Sequence, residues 1–225
     1  MIVGKGLIAN QFLDSDLSDV VFFASGVSNS SEIDEKQFLR EEVLILDTLK
    51  SHSNKAFIYF STCSIYDSSK YNSPYVLHKL HMEEIIKENA EKFLILRVSN
   101  AVGKGGNPNL LMNYLARNIK ENNDLIIHEN ATRNLIDVED VKNITLKYID
   151  ANDWNKIVNV AYAENYFIPE IVSSFEAILN TKTNKIIVDK GEHYSIDIHE
   201  LDYKFATLDK QNYLNLMIKK YYGTT

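Results

Sequence analysis

Short apolar runs alternate with amphipathic stretches from the first residue of this chain. Met1–Val3 is apolar and leads straight into Gly4-Lys5-Gly6-Leu7-Ile8-Ala9. Asp19–Ala24 (DVVFFA) predicts a second strand, broken at Ser25-Gly26. Between Glu32 and Lys50, Leu39, Val43, Leu46 and Leu49 recur at helical spacing. Lys55–Phe60 (KAFIYF) predicts a third strand, ending in Ser61-Thr62-Cys63-Ser64 and a turn-rich patch from Asp67 to Asn72. Ser73-Pro74 then starts a helix that runs to Asn89, with Ser as cap and Pro at the first helical position. Phe93–Val98 (FLILRV) is a fourth strand, followed by a glycine-rich loop, Gly103–Gly106.

Beyond that loop the alternation continues. Helices are predicted over Asn109–Lys120, Val138–Ile149, Pro169–Leu179 and Leu208–Tyr221, and strands at Leu125–Ile127, Val158–Ala161 and Lys185–Val188. Asp137 and Asp140 have capping-box spacing at the start of the second of these helices. Strands alternating with helices argue for an α/β fold with a parallel sheet covered on both faces. No linker is visible, so residues 1–225 read as one domain, with a substrate-side lobe mainly after residue 103.

Composition narrows the function classes. Apolar residues make up 45% of the chain and charged ones 24%, which excludes a disordered or fibrous protein. Lys plus Arg total 24 against 31 for Asp plus Glu, a net charge of −7, so there is no basic footprint for nucleic acid or an anionic membrane. Cys63 is alone and implies a reducing compartment. No apolar run approaches the ~18 residues of a membrane span and no signal peptide is apparent, so a cytoplasmic protein is expected.

Three groups of residues could carry chemistry. Gly4-x-Gly6-x-x-Ala9 follows a strand and is expected to open a helix. Glycines there permit a tight turn and let a diphosphate approach backbone amides at a helix start. The same residues also suit a tight turn that binds nothing, and Lys5 within it suits solvent as well as phosphate. Tyr75 and Lys79 lie four apart, on one helical face, where an ammonium would favour phenolate and make a general acid/base. A solvated lysine beside a half-buried tyrosine has the same spacing. Thr62 closes its strand where ligands of open α/β sheets bind, although strand-end hydroxyls also serve as caps. Cys63 reads as a small buried residue. His78 and His81 lie three apart with no third ligand arranged beside them, so no metal site is expected.

In this order the pieces resemble the extended short-chain dehydrogenase/reductase family of NAD-dependent, nucleotide-sugar epimerases, dehydratases and reductases. The likeness rests on the glycine turn, DVVFFAS, FSTCSIY, YxxxK, LRVSNAVG, NPNLLMNYL and TRNLIDVEDV, which cover most of residues 1–150. It implies a Rossmann-like doubly wound parallel sheet, truncated at the cofactor side, with a small substrate lobe. It also implies NAD or NADP held by Gly4, Gly6, Leu7, Ile8, Ala24 and Ser25, and by Tyr75 and Lys79 at the nicotinamide ribose. The family's catalytic hydroxyl lies four residues before a strand-end tyrosine; here that tyrosine is Tyr66, which selects Thr62, with Tyr75 as acid/base and Lys79 as its partner. The same resemblance places Asn100, Asn109 and Arg133 along a nucleotide-sugar substrate. For Arg133, a salt bridge to Asp137 or Glu139 is the structural alternative.

Three departures stand out. The glycine motif is one residue short, with Ala9 at its third position. Only about ten residues separate the first helix from DVVFFAS, an interval where relatives place two further strands and a helix, so the residue that reads the adenosine ribose has no counterpart. Thr62 and Tyr75 are thirteen apart, roughly half the family's usual interval. Cys63 and Ser64 stand where dehydratases carry acids, which leaves 4-keto reduction or epimerisation, in surface-polysaccharide synthesis by family context. The alternative is a non-redox module that binds a nucleotide or nucleotide sugar. By the same resemblance the Glu32–Lys50 and Ser73–Asn89 helices would pair in a homodimer, although Leu39, Val43 and Leu46, like Met82, Ile85 and Ile86, could equally face the sheet.

Overall fold

β-branched and aromatic residues dominate the early apolar runs, and such side chains suit a pleated sheet buried on both faces. In the computed structural model, which describes residues 1–15 and 17–223, the chain forms β1 (Ile2–Val3), a 3-10 turn (Ala9–Phe12), β2 (Val20–Phe23), α1 (Glu35–Ser51) and β3 (Ala56–Thr62). A second 3-10 turn (Cys63–Tyr66), α2 (Pro74–Asn89), β4 (Phe93–Val98), β5 (Asn100–Val102), α3 (Leu111–Lys120) and β6 (Leu125–His128) follow. The remainder is β7 (Thr132–Arg133), β8 (Leu135–Asp137), α4 (Val138–Asp150), β9 (Lys156–Val160), β10 (Tyr166–Phe167), α5 (Ile168–Leu179), β11 (Lys185–Val188) and α6 (Lys210–Tyr222).

The central sheet is all parallel, in the order β1-β2-β3-β4-β9. It is the expected Rossmann-like sheet cut short: nothing among the described residues pairs with the outer side of β1, so the strand order never reverses. Alternation along β2 sorts the core. Val21 and Phe23 pack with Ile45 and Leu49 of α1 and Met82, Ile85 and Ile86 of α2. Val20 and Phe22 face the opposite side, with Phe12 and the helices of the later half. The steps β1→β2 and β2→β3 go the same way across the sheet, yet their connections cover opposite faces. They therefore have opposite hands, and one breaks the right-handed rule for parallel crossovers.

Several expectations need correction. The glycine turn opens no α-helix; the single 3-10 turn is all that separates it from the loop before β2. Leu39, Val43 and Leu46 do not face the sheet: they are 61%, 48% and 41% exposed, and only Leu49 of that series is buried. Met82, Ile85 and Ile86 do face it. Asp137 caps α4 by accepting from Glu139 N (2.9 Å), but Asp140 does not close a capping box. Its carboxylate instead accepts from Tyr203 and Tyr213, which fastens α6 and the preceding segment to the lobe. The lobe adds the short pairs β5–β8, β6–β11 and β7–β10, all continuous with one hydrophobic core. Among the described residues no helix is long and apolar enough to cross a membrane.

Candidate active site

A cleft of about 1100 Å³ opens over the ends of β1, β2, β3 and β4. That is slightly above the range of small-molecule sites, roughly 300–1,000 Å³. Gly6, Leu7 and Ile8 line it from the first turn, and Ala24 and Ser25 from the end of β2. Thr62, Tyr75 and Lys79 form its inner wall, and Asn100, Asn109 and Arg133 its lobe side. Gly4 is the exception among the residues singled out by sequence. Its φ of +132° and a Cβ position 2.5 Å from Ala24 O show that it serves close approach of the turn to β2, away from the ligand space. Gly6 faces open space, with no heavy atom within 4 Å of its Cβ position.

Local sequence sets the inner wall. Thr62 ends β3 and caps the second 3-10 turn, its Oγ1 accepting from Ser64 N at 3.0 Å, which leaves the hydroxyl proton for another acceptor. Ser73 caps α2 and Pro74 takes its first position, so Tyr75 stands in the first turn and Lys79 one turn on. The Tyr75 hydroxyl makes no hydrogen bond to another described residue. The Lys79 ammonium lies 5.9 Å from the Tyr75 ring centre. Burial pushes the Cys63 thiol up to about 12, which leaves it an un-ionised packing residue.

Sequence reading missed the partner of Lys79. Glu41 of α1 is fully buried, and its Oε1 meets Lys79 Nζ at 2.9 Å and Tyr59 OH at 2.7 Å. Its Oε2 accepts from Val27 N at 2.6 Å and lies 3.2 Å from His78 Nε2. Burial alone would raise the Glu41 carboxyl, but the Lys79 charge and the hydrogen bonds from His78, Lys79 and Val27 outweigh it and hold the group far below the ordinary carboxylate range. Tyr59 moves the other way, pushed up by burial and the adjacent Glu41 charge. Gly26 makes room for the pair, since a Cβ there would sit 2.4 Å from Lys79 Nζ and 2.7 Å from Glu41 Oε1. A signal existed: Glu41 falls three residues after Phe38 and four before Ile45, on the inward stripe of α1, where a carboxylate requires a partner.

On the lobe side Arg133 donates to its neighbour's carbonyl, Thr132 O (2.7 Å), and not to Asp137 or Glu139, both of which are taken by Lys220. Asn100 donates to Asn134 O at 2.8 Å. Asn109 is exposed at the rim.

With this geometry in place, the chain can be set beside known proteins. The profile of the NAD dependent epimerase/dehydratase family matches residues 8–161, more than half of the chain. The chain belongs to that family. The match starts past both glycines of the first turn, so it spans Thr62, Tyr75 and Lys79 and leaves the turn to geometry alone.

Solved structures share the fold at low identity. RMD from Pseudomonas aeruginosa, complexed with NADPH, is 16% identical, with a TM-score of 0.72 over 92% of this chain and 82% of its own. UDP-glucuronic acid 4-epimerase from Bacillus cereus, in complex with UDP-glucuronic acid and NAD, is 20% identical, with a TM-score of 0.70 over 93% of this chain and 78% of its own. UDP-N-acetylglucosamine 4-epimerase from Methanobrevibacter ruminantium, in complex with UDP-N-acetylmuramic acid, is 18% identical, with a TM-score of 0.70 over 89% and 76%. No curated protein matches the chain.

The residues present suit one end of a nicotinamide dinucleotide. Gly6 leaves backbone room for a diphosphate, and the free Tyr75 hydroxyl faces the same cleft. At the adenosine end β1 is the edge of the sheet, so among the described residues no neighbouring strand end offers a residue to that ribose.

Proposed function

We propose that this protein reduces or epimerises a nucleotide sugar with NAD or NADP as cofactor. The observation that carries the reading is the meeting of Thr62, Tyr75 and Lys79 on the wall of one cleft, with the tyrosine hydroxyl unengaged. Cofactor contacts fall to Gly6, Leu7, Ile8, Ala24 and Ser25, with Tyr75 and Lys79 at the ribose. The nicotinamide, when bound, supplies the hydride acceptor or donor. Tyr75 takes the proton of a sugar hydroxyl as its carbon is oxidised and returns a proton to oxygen when a ketone is reduced. Thr62 hydrogen-bonds that same oxygen and fixes it against Tyr75. Lys79 has two of its three protons engaged by Glu41 and Tyr59, which leaves one to aim into the cleft. Asn100, Asn109 and Arg133 hold the rest of the substrate. A role in surface-polysaccharide synthesis rests on family resemblance alone.

The edge position of β1 and the neutralised Lys79 favour a second reading, a nucleotide-sugar binding module without redox chemistry. Thermal melts with NAD⁺, NADH, NADP⁺, NADPH and UDP-, dTDP-, GDP- and CDP-sugars separate the two. A dinucleotide at a hundred times its dissociation constant adds about 2.7 kcal/mol, several degrees for a chain of this size. The enzyme reading expects that rise, and expects Tyr75→Phe to melt like the wild type yet fail to turn over a 4-keto nucleotide sugar. A rise with nucleotide sugars and none with any dinucleotide would establish the binding module.

The reading includes a homodimer through α1 and α2. Leu39, Val43 and Leu46 form an exposed apolar stripe on α1. His81 of α2 reaches Glu42 of α1 across their outer surface, and Leu77, 53% exposed, lies one turn before His81.

A further inference from the structure

Arg40 of α1 is fastened to the wall of the cleft. Its Nη2 donates to Ser25 O (3.0 Å) and its Nη1 to Ser25 Oγ (3.4 Å), and Ser25, just past β2, lines the cavity. The first turn meets the same residue from another side, since a Cβ on Gly4 would lie 3.0 Å from Ser25 N. Lys5 and Gly6, which follow, are both on the lining. The helix turns Arg40 toward β1. Residues advance about 100° each round an α-helix, so Arg40 lies about 200° from Glu42. Glu42 faces α2 through His81 (3.8 Å), which puts Arg40 on the flank away from α2. Leu44, one turn on along that flank, packs on the same cluster as Val3 of β1. Among the described residues Arg40 has no carboxylate within ion-pair distance, and its neighbours three and four away on the helix, Lys36, Gln37, Val43 and Leu44, include no acid. It is exposed, and with two of its five donors on Ser25 it has three others to offer. A guanidinium already anchored in this way loses little freedom when it takes an anion.

We infer that Arg40 is a specificity-determining residue, the cation that holds a phosphate of the cofactor's adenosine half. Two phosphate groups lie in that half: the 5′-diphosphate common to both dinucleotides and the 2′-phosphate of NADP alone. The fold favours the second. Gly6 already gives the diphosphate backbone room, whereas β1 is the sheet edge and leaves the ribose no strand-end partner among the described residues. A forked cation at that end suits a phosphate dianion far better than a pair of ribose hydroxyls. The preferred dinucleotide is therefore NADP. Calling the ligand a cofactor rests on the reading above; the phosphate site at Arg40 does not.

Calorimetric titration of the wild type, Arg40→Met and Arg40→Lys tests the assignment. The ligands are adenosine 5′-diphosphate, adenosine 2′,5′-bisphosphate, NAD⁺, NADP⁺ and the nucleotide sugars already named. Arg40 is exposed, so both variants are expected to melt with the wild type. Adenosine 2′,5′-bisphosphate bound about tenfold or more tighter than the 5′-diphosphate, and NADP⁺ than NAD⁺, supports the assignment with the 2′-phosphate as occupant, provided that Arg40→Met erases both differences and Arg40→Lys keeps part of them. A loss of about tenfold in Arg40→Met for both adenosine ligands and both dinucleotides alike supports it with the 5′-phosphate end as occupant. Dinucleotides bound equally by the wild type and an Arg40→Met protein of the same melting temperature overturn it and leave the cofactor reading in place. A wild type that binds no adenosine phosphate at all overturns it as well. Adenosine 2′,5′-bisphosphate held through Arg40 with no nucleotide sugar bound would sink the reading of the preceding subsection and leave the role of Arg40 standing.

Discussion

Glu41 carries a full charge where no water reaches, and it does so through four partners on three segments. Removing one member of such a pair strands the other, at about 3–5 kcal/mol. Urea unfolding at pH 7 is therefore expected to show Glu41→Gln and Lys79→Met each well below the wild type. The double variant recovers part of the loss, because a glutamine can still accept from Val27 N. The pH dependence has a definite sign. Folding depresses the Glu41 carboxyl below its ordinary 4.5, so the unfolded chain binds the proton more readily. The stability it contributes is complete above about pH 4.5 and declines as pH falls toward the folded-state value. The gap between wild type and Glu41→Gln should shrink from pH 7 to pH 3. A gap that stays constant would mean that Glu41 is not the charged member of the pair. The chemistry follows the same geometry: Lys79 presents to the cleft a charge already balanced behind it by Glu41.

At the scale of elements, one aromatic ring does the work of a missing helix. Phe12 is fully buried in the 3-10 turn, stacked on Phe22 at 4.3 Å between ring centres and tilted against Phe60 at 5.7 Å. Phe12→Ala is expected to remove about 3–5 kcal/mol, read as a lowered urea midpoint with unchanged slope. A loss below 1 kcal/mol would show that the turn is anchored elsewhere. Runs such as FLILRV and the Ser73-Pro74 start were legible because their information is local: β-branched residues favour strands, and a hydroxyl cap with proline fixes a helix start. Thr62, Tyr75 and Lys79 were legible as spacings. The helix expected after the glycine turn was not, because seven residues between Phe12 and Val20 leave no room to extend a turn into a helix. Glu41 escaped for a different reason. Its partners come from positions 27, 59, 78 and 79, and no window of sequence shows that they converge. Nor could the pattern place Leu39, Val43 and Leu46, since α1 has apolar residues on two faces and periodicity does not say which one meets the sheet.

At the scale of the molecule, shortening the sheet leaves two surfaces open, and they differ in kind. The free side of β1 offers only two residues of strand, too short to template pairing with another chain, which is how proteins commonly blunt a sheet edge. The outer face of α1 has no such defence, for Leu39, Val43 and Leu46 are all exposed along it. Contiguous apolar surface of this sort marks an association site more often than chance exposure does. A second copy of the chain is the simplest partner, because a twofold axis lets one patch cover itself and closes the assembly at two. Light scattering should then give the mass of a dimer at micromolar concentration, and Leu39→Glu with Val43→Glu should halve it. Both positions are on the surface of a single chain, so the substituted protein should keep its far-ultraviolet circular dichroism and its cleft. A wild type that scatters as a single chain at all concentrations would remove the dimer and leave the chemistry of Thr62 and Tyr75 untouched, since every residue on that wall comes from one chain.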